Sequence, residues 1–108
     1  MSRAQFKRRR TANGWDIRWD EGFAAQAYTD GWWREETCAD ALRLLSHEDP
    51  ERILIVDGDV RLSASTLFDQ STRLAKAMLS RFAPGSVVSF MLPNWNEAAV
   101  IYMAATLA

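Results

Sequence analysis

Residues 85–108 read GSVVSFMLPNWNEAAVIYMAATLA. Val87, Val88, Phe90, Met91 and Leu92 form a short apolar run rich in β-branched and aromatic side chains, which predicts a strand covered on both faces. Pro93-Asn94 should end it. Asn94 is expected to cap a new helix by accepting from free backbone N–H groups, with Glu97 three residues on at the helix's positive end. From Ala98 to Ala108 every residue except Thr106 is apolar. A helix apolar all round belongs inside something larger, so the rest of its own chain is expected to be needed to cover 95–108.

Working back from that stretch, Pro84-Gly85 should close a preceding helix. Leu67, Phe68, Ser71, Leu74, Ala75, Met78, Leu79 and Phe82 recur at three- and four-residue steps, with Asp69, Gln70, Arg73, Lys76 and Arg81 on the wet side. This is an amphipathic helix, and Ser63 is its expected N-cap. Before it, Ile53-Leu54-Ile55-Val56 and Val60-Arg61-Leu62 flank Asp57-Gly58-Asp59, a hairpin pattern. Strand, helix, strand, helix in this order predicts a right-handed crossover and a parallel pair, hence an α/β layer. Parallel sheets need helices on both faces, and only part of that cover is present.

Nearer the N-terminus, Phe23, Ala24, Ala27 and Tyr28 can share one face of a short helix ending around Thr29-Asp30-Gly31. Trp32 and Trp33 follow as an expected plug at the edge of a core. Thr37 with Asp40 fits a capping box, and Cys38, Ala41, Leu42 and Leu45 continue at helical spacing up to a stop before Pro50. Residues 1–20 show no sustained apolar period and read as a basic, flexible lead-in. The expected division is thus a lead-in over 1–20 and a partial N-terminal α/β subdomain over 21–108.

Charge is distributed unevenly. Arg3, Lys7, Arg8, Arg9, Arg10 and Arg18 stand against Asp16 alone in the first 18 residues, a net +5, while the remainder carries −6. Affinity for nucleic acid would therefore have to come from the N-terminus, where Lys7–Arg10 could pair with Trp15 and Trp19 as stacking aromatics. Two tryptophans without a strand platform do not make such a site, and nucleic acid is not expected as a partner. No run approaches the roughly 20 apolar residues needed to cross a bilayer, and no apolar core follows the basic start as in a secretory signal. The Arg-rich first 15 residues lack the amphipathic, Ser-rich pattern of a mitochondrial presequence. A cytoplasmic location is the expectation, and it agrees with a single cysteine, Cys38, which is expected to be small and buried.

The chemistry that can be recognised from spacing is missing. Gly14, Gly22, Gly31, Gly58 and Gly85 are all isolated, so no glycine-rich loop is available to cradle a phosphate. There is no nucleophile elbow, zinc-ligand cluster or Ser, His, Asp order with supporting context. His47, between Ser46 and Glu48-Asp49, reads as an exposed side chain, and Glu35, Glu36, Glu48 and Asp49 as solvated caps and turn residues. In open α/β sheets ligands bind beyond the strand C-termini, which would place Pro93-Asn94-Trp95 near a crevice, but no charged group accompanies them and a turn with a cap is the better account of these residues. No catalytic, cofactor-binding or metal-ligating residue is assigned.

The order and wording of the elements nevertheless carry a resemblance. Arg61-Leu62-Ser63-Ala64-Ser65-Thr66-Leu67 with Arg73-Leu74-Ala75, then Gly85-Ser86-Val87-Val88, Leu92-Pro93-Asn94-Trp95 and Glu97-Ala98-Ala99, resemble the N-terminal part of adenylate-forming acyl-CoA synthetases, the AMP-dependent synthetases and ligases. The family's Arg-Leu-Thr-Tyr-x-Glu-Leu opening has Ser63, Ala64 and Thr66 here in place of its Thr, Tyr and Glu. Its Gly-Asp-x-Val has Ser86 in place of Asp. Trp32-Trp33-Arg34-Glu35-Glu36-Thr37 together with Val88-Ser89-Phe90 looks most like the branch acting on medium-chain or cyclic acids.

The resemblance implies a ligase in fatty acid metabolism that uses ATP, Mg and coenzyme A. A carboxylic acid would become an acyl-adenylate and then a thioester. In the family, the phosphate loop, metal-binding glutamate, ribose-binding aspartate and catalytic lysine lie outside the segments matched here. The 108 residues alone are therefore expected to be inactive. The alternative is a small nucleic-acid-binding or protein-interaction module that uses the basic N-terminus.

Overall fold

A computed structural model describes residues 7–10 and 16–108. Trp15, and whatever of the expected lead-in falls in 1–6 and 11–15, lie outside the described residues. The element order is β1 (Lys7–Arg10), β2 (Asp16–Trp19), α1 (Glu21–Thr29), α2 (Cys38–Glu48), β3 (Ile53–Asp57), β4 (Val60–Ser63), α3 (Ala64–Leu79) and α4 (Asn96–Leu107). The chain forms two compact units, Met1–Glu35 and Glu36–Ala108.

In the first unit, β1 and β2 pair antiparallel with Lys7 opposite Trp19 and Arg9 opposite Ile17. Regular structure thus occurs within the stretch expected to be a basic, flexible lead-in over 1–20. The sequence signal failed because the strand Lys7-Arg8-Arg9-Arg10 has no apolar alternation to betray it. Asp20 then caps α1, its Oδ1 accepting from the Phe23 N–H at 2.9 Å. The helix ends as expected. Gly31 takes φ +74°, the Trp32 N–H donates to the Ala27 carbonyl at 2.9 Å, and the Gly31 N–H donates to the Tyr28 carbonyl at 3.2 Å. That pair of bonds is the Schellman closure, and only a residue without Cβ adopts it cheaply.

In the second unit, α2 starts with the capping box read from sequence. The Asp40 N–H donates to Thr37 Oγ1 at 3.3 Å and the Thr37 N–H donates back to Asp40 Oδ2 at 2.8 Å. The buried face of α2 is Ala39 and Leu42, so Cys38, the first helical residue, is exposed. The expectation of a buried Cys38 is thereby corrected. Of the expected Cys38, Ala41, Leu42, Leu45 stripe, Leu42 is buried and Leu45 half-buried, whereas Cys38 and Ala41 are exposed and Ala39 is buried instead.

β3 and β4 form the expected antiparallel hairpin, with Gly58 at φ +56° in the turn. Ile53 lies opposite Ser63 and Ile55 opposite Leu62, so Leu54 is an extra residue, a bulge. Ser63 ends β4 and caps α3, accepting from the Thr66 N–H at 3.2 Å. The core gathers Leu42, Leu62 and Leu67, with Ile55, Phe68, Ala99, Val100 and Met103 packed against it. These contacts join α2, the hairpin, α3 and α4, and the most extensive packing is between α3 and α4. So α4 has cover on one side from its own chain, and Ala104 is fully buried. Tyr102 on α4 is exposed.

Two expectations fail between α3 and α4. α3 ends at Leu79 rather than near Phe82, which is exposed. Residues 85–92 form no strand, and Met91 is 97% exposed. The parallel pair predicted between this segment and the hairpin is therefore absent among the described residues, whose sheets are two separate antiparallel pairs. An extended apolar run becomes a strand only when a partner presents its N–H and C=O groups, and pairing is a property of two segments.

Candidate functional site

The place where sequence reasoning put a possible crevice is the turn before α4. There the expected Asn94 cap is not made. Trp95 is the N-cap residue, and its indole has no acceptor to offer the free N–H groups. Asp57, the last residue of β3, supplies one instead. Its Oδ2 accepts from the Asn96 backbone N–H at 2.8 Å and from the Asn96 side-chain amide at 2.9 Å. These bonds, the Asn96 side chain first and its backbone second, hold the Asp57 carboxyl below its ordinary pKa. Glu97 adds negative charge in the first turn of α4, where the helix dipole favours it. Pro93, Asn94 and Trp95 are exposed. The arrangement is a cap that fixes the start of α4, and it brings no nucleophile or acid–base pair together.

The other candidate side chains are dispersed. His47 sits in the last turn of α2 with Nδ1 2.7 Å from the Arg43 carbonyl oxygen, so the ring satisfies a helix-end carbonyl. Glu35, Glu36, Glu48 and Asp49 are exposed. Among the described residues no three His, Cys, Asp or Glu side chains come together to hold a metal. The glycines Gly31, Gly58 and Gly85, with φ of +74°, +56° and +84°, each serve a separate turn, so they do not line up backbone N–H groups around one phosphate. Among the described residues no arrangement fits ATP or Mg. No helix among the described residues is long and apolar enough to cross a membrane.

One cluster was not assembled by sequence reasoning. Trp33 packs against three rings: Trp19 at a centroid distance of 6.0 Å, Phe23 at 5.6 Å and Tyr28 at 5.7 Å, the last two edge to face. A recess of about 430 Å³ beside it is lined by Arg18, Trp19, Asp20, Phe23 and Trp33. Trp33 packs among these rings yet is 39% exposed, and Trp32 is 65% exposed, so the expected plug is not formed by Trp32 and only in part by Trp33. The signal in the sequence was the aromatic density of 19–33. What was missing was the turn after α1 that folds Trp33 back toward Trp19, Phe23 and Tyr28.

Comparison with known proteins gives one similarity to report. The chain is 32% identical over 77 residues to the pyochelin synthase PchD of Pseudomonas aeruginosa. The match covers 70% of this chain and 14% of that protein. No protein-family model and no solved structure matches the chain.

Proposed function

We propose that this chain is the N-terminal part of an adenylate-forming enzyme that activates a carboxylic acid with ATP. The observation that carries this reading is the similarity to PchD over 77 residues, which is compatible with such a lineage. The hairpin, α3 and α4 occur in the order of the matched family segments around Arg61-Leu62-Ser63 and Leu92-Pro93-Asn94.

In the proposed reaction a carboxylate oxygen attacks the α-phosphorus of ATP. The bond to the bridging oxygen breaks, pyrophosphate leaves, and an acyl-adenylate remains. The finer reading is that coenzyme A then takes the acyl group as a thioester and releases AMP, with a medium-chain or cyclic acid as substrate. The residues of this chain take no part in either step. Their work is to build a scaffold: Leu42, Leu62 and Leu67 fix the hairpin against the helices, and Asp57 sets where α4 begins.

The test is acid-dependent ATP–pyrophosphate exchange by the polypeptide encoded by the whole reading frame that contains these residues. Exchange with a member of a carboxylic acid panel supports the reading, and thioester formation on adding coenzyme A supports its finer form. Lack of exchange with every acid overturns it. The 108 residues alone are expected to give none.

A further inference from the structure

We propose that a recess between α2, α3 and α4 binds a small anionic amphiphile, a carboxylate or phosphate head on a short alkyl tail. The recess lies wholly within the unit Glu36–Ala108 and has a volume of about 220 Å³. Three properties of its lining select that chemistry.

The first is charge of one sign. Arg43 on α2 and Lys76 on α3 both line the recess, and no carboxylate does. Residues 19–108 carry a net −6, so two cations gathered at one recess run against the charge of the chain around them. Neither cation is taken up by a close partner. Arg43 Nη1 stands 3.6 Å from Asp40 Oδ1, beyond hydrogen-bond reach, which leaves the donors of the guanidinium open. The Lys76 ammonium has no ion pair among the described residues. A planar guanidinium matches two oxygens of a carboxylate or phosphate, and an ammonium beside it adds a point charge.

The second is an orphaned hydroxyl. Thr72, one turn before Lys76, also lines the recess, and its Oγ1 is buried without a hydrogen-bond partner among the described residues. A buried hydroxyl left unpaired is costly. Threonine in a helix uses two χ1 rotamers, so a turn about one bond can offer this donor to the oxygen of a bound head.

The third is the apolar remainder of the lining. Phe68, Ala75 and Leu79 follow one face of α3 with Thr72, and Leu107 of α4 joins them. Phe68 packs against the core of Leu42, Leu62 and Leu67, so this floor is anchored. Leu79 is 47% exposed, and an alkyl tail laid on it would take that apolar surface out of water. The volume falls below the roughly 300–1,000 Å³ of drug-sized sites, which limits the ligand to one head and a few methylenes. A nucleic acid would call for a longer track of cations, and a neutral lipid for none.

The experiment titrates the ¹⁵N-labelled 108-residue chain with hexanoate and with hexyl phosphate while backbone amide shifts are followed. Hexanol, hexylammonium, inorganic phosphate and a short peptide with one glutamate beside a leucine are the other arms. At least one of the two alkyl anions is expected to bind saturably, with a Kd on the order of 1 mM, and to shift amides within 72–79. It should bind at least tenfold tighter than hexanol, hexylammonium or inorganic phosphate, and the preferred anion identifies the head. Arg43→Gln and Lys76→Gln, both at exposed positions, should each weaken binding about 5- to 20-fold while circular dichroism stays unchanged. Thr72→Val should weaken it about 3- to 10-fold, and Thr72→Ser should retain it. The proposal is overturned by any one of four results. These are no saturable shift with either alkyl anion, equal affinity for hexanol, unchanged affinity in a folded variant carrying both Arg43→Gln and Lys76→Gln, or tighter binding of the peptide than of both amphiphiles.

Discussion

Asp57 and Asn96 are 39 residues apart in sequence, and two hydrogen bonds of 2.8 and 2.9 Å join them. One carboxylate oxygen at the end of β3 thus caps a helix to which it has no local connection. Because Trp95 cannot cap, removing Asp57 leaves the first N–H groups of α4 without a side-chain acceptor. Asp57→Ala is therefore expected to lower the thermal midpoint and to speed amide exchange in the first turn of α4. Asp57→Asn keeps an oxygen acceptor but loses the charge, and should fall between the two. A midpoint for Asp57→Ala equal to that of the parent protein would show that the cap carries no stability. Ser63→Ala is the local comparison, and loss of its bond to the Thr66 N–H should cost about 1 kcal/mol.

Stability should also depend on pH through two carboxylates. Asp57 is held below its ordinary pKa by Asn96. Asp40 is held below its own by hydrogen bonds from Thr37, backbone first and side chain second, with the Arg43 guanidinium adding attraction. In both cases the unfolded state binds the proton more readily than the folded state. Their contribution is thus fully present above the ordinary carboxylate value of 3.8 and is lost as pH falls through the lower folded values. Urea midpoints measured from neutral pH downward should fall in that acid range. A variant carrying Asp40→Asn and Asp57→Asn should be less stable at neutral pH and show a flatter acid slope. A double variant with the parent's slope would remove these two residues as the source.

How much of this was legible in the sequence depended on the range of the interaction. The Thr37–Asp40 box, the Ser63 cap and the Gly31 closure are decided within a few residues, and each was read correctly. Asn94 was misread because the cap that wins comes from Asp57, a residue that looked like part of a turn and nothing more. The strand predicted over 85–92 failed for a related reason, since pairing needs a second edge that periodicity cannot supply. Lys7–Arg10 was missed in the opposite direction: a strand with no apolar residue gives no pattern to read. The aromatic recess joins residues up to 15 apart through α1 and the Schellman turn after it, so no local pattern displayed it.

Leu67 and Ser71 lie one turn apart on the buried face of α3, and their truncations should act in opposite directions. Leu67 belongs to the core with Leu42 and Leu62 and is 2% exposed. Leu67→Ala should cost about 2–5 kcal/mol, from lost transfer energy and the cavity left behind. Ser71 is fully buried and its Oγ has no hydrogen-bond partner, a state that costs about 1–3 kcal/mol for a buried polar group. Ser71→Ala removes that penalty and improves helix propensity, so it is expected to raise stability by about 1 kcal/mol. Denaturant unfolding of both variants measures this. Destabilisation by Ser71→Ala would mean that its hydroxyl makes a bond in solution.

Residues 87–92 present the sharpest difference between what the side chains favour and what the backbone does. Val87, Val88, Phe90, Met91 and Leu92 are all exposed, and their amides make no backbone hydrogen bonds among the described residues. Amide exchange across 87–92 should therefore be orders of magnitude faster than in the interior of α3, whose amides are held in a helix packed on the core. An apolar dye should bind the 108-residue chain, because these side chains add to Ile53, Leu54 and Val56, which the hairpin also leaves exposed. Replacing Val88 and Phe90 with threonine should reduce dye binding and leave the unfolding midpoint nearly unchanged, since neither residue belongs to the core. Slow exchange at 87–92 in the isolated chain would mean that the segment is paired in solution, and the β3–β4 hairpin would then have to carry a third strand.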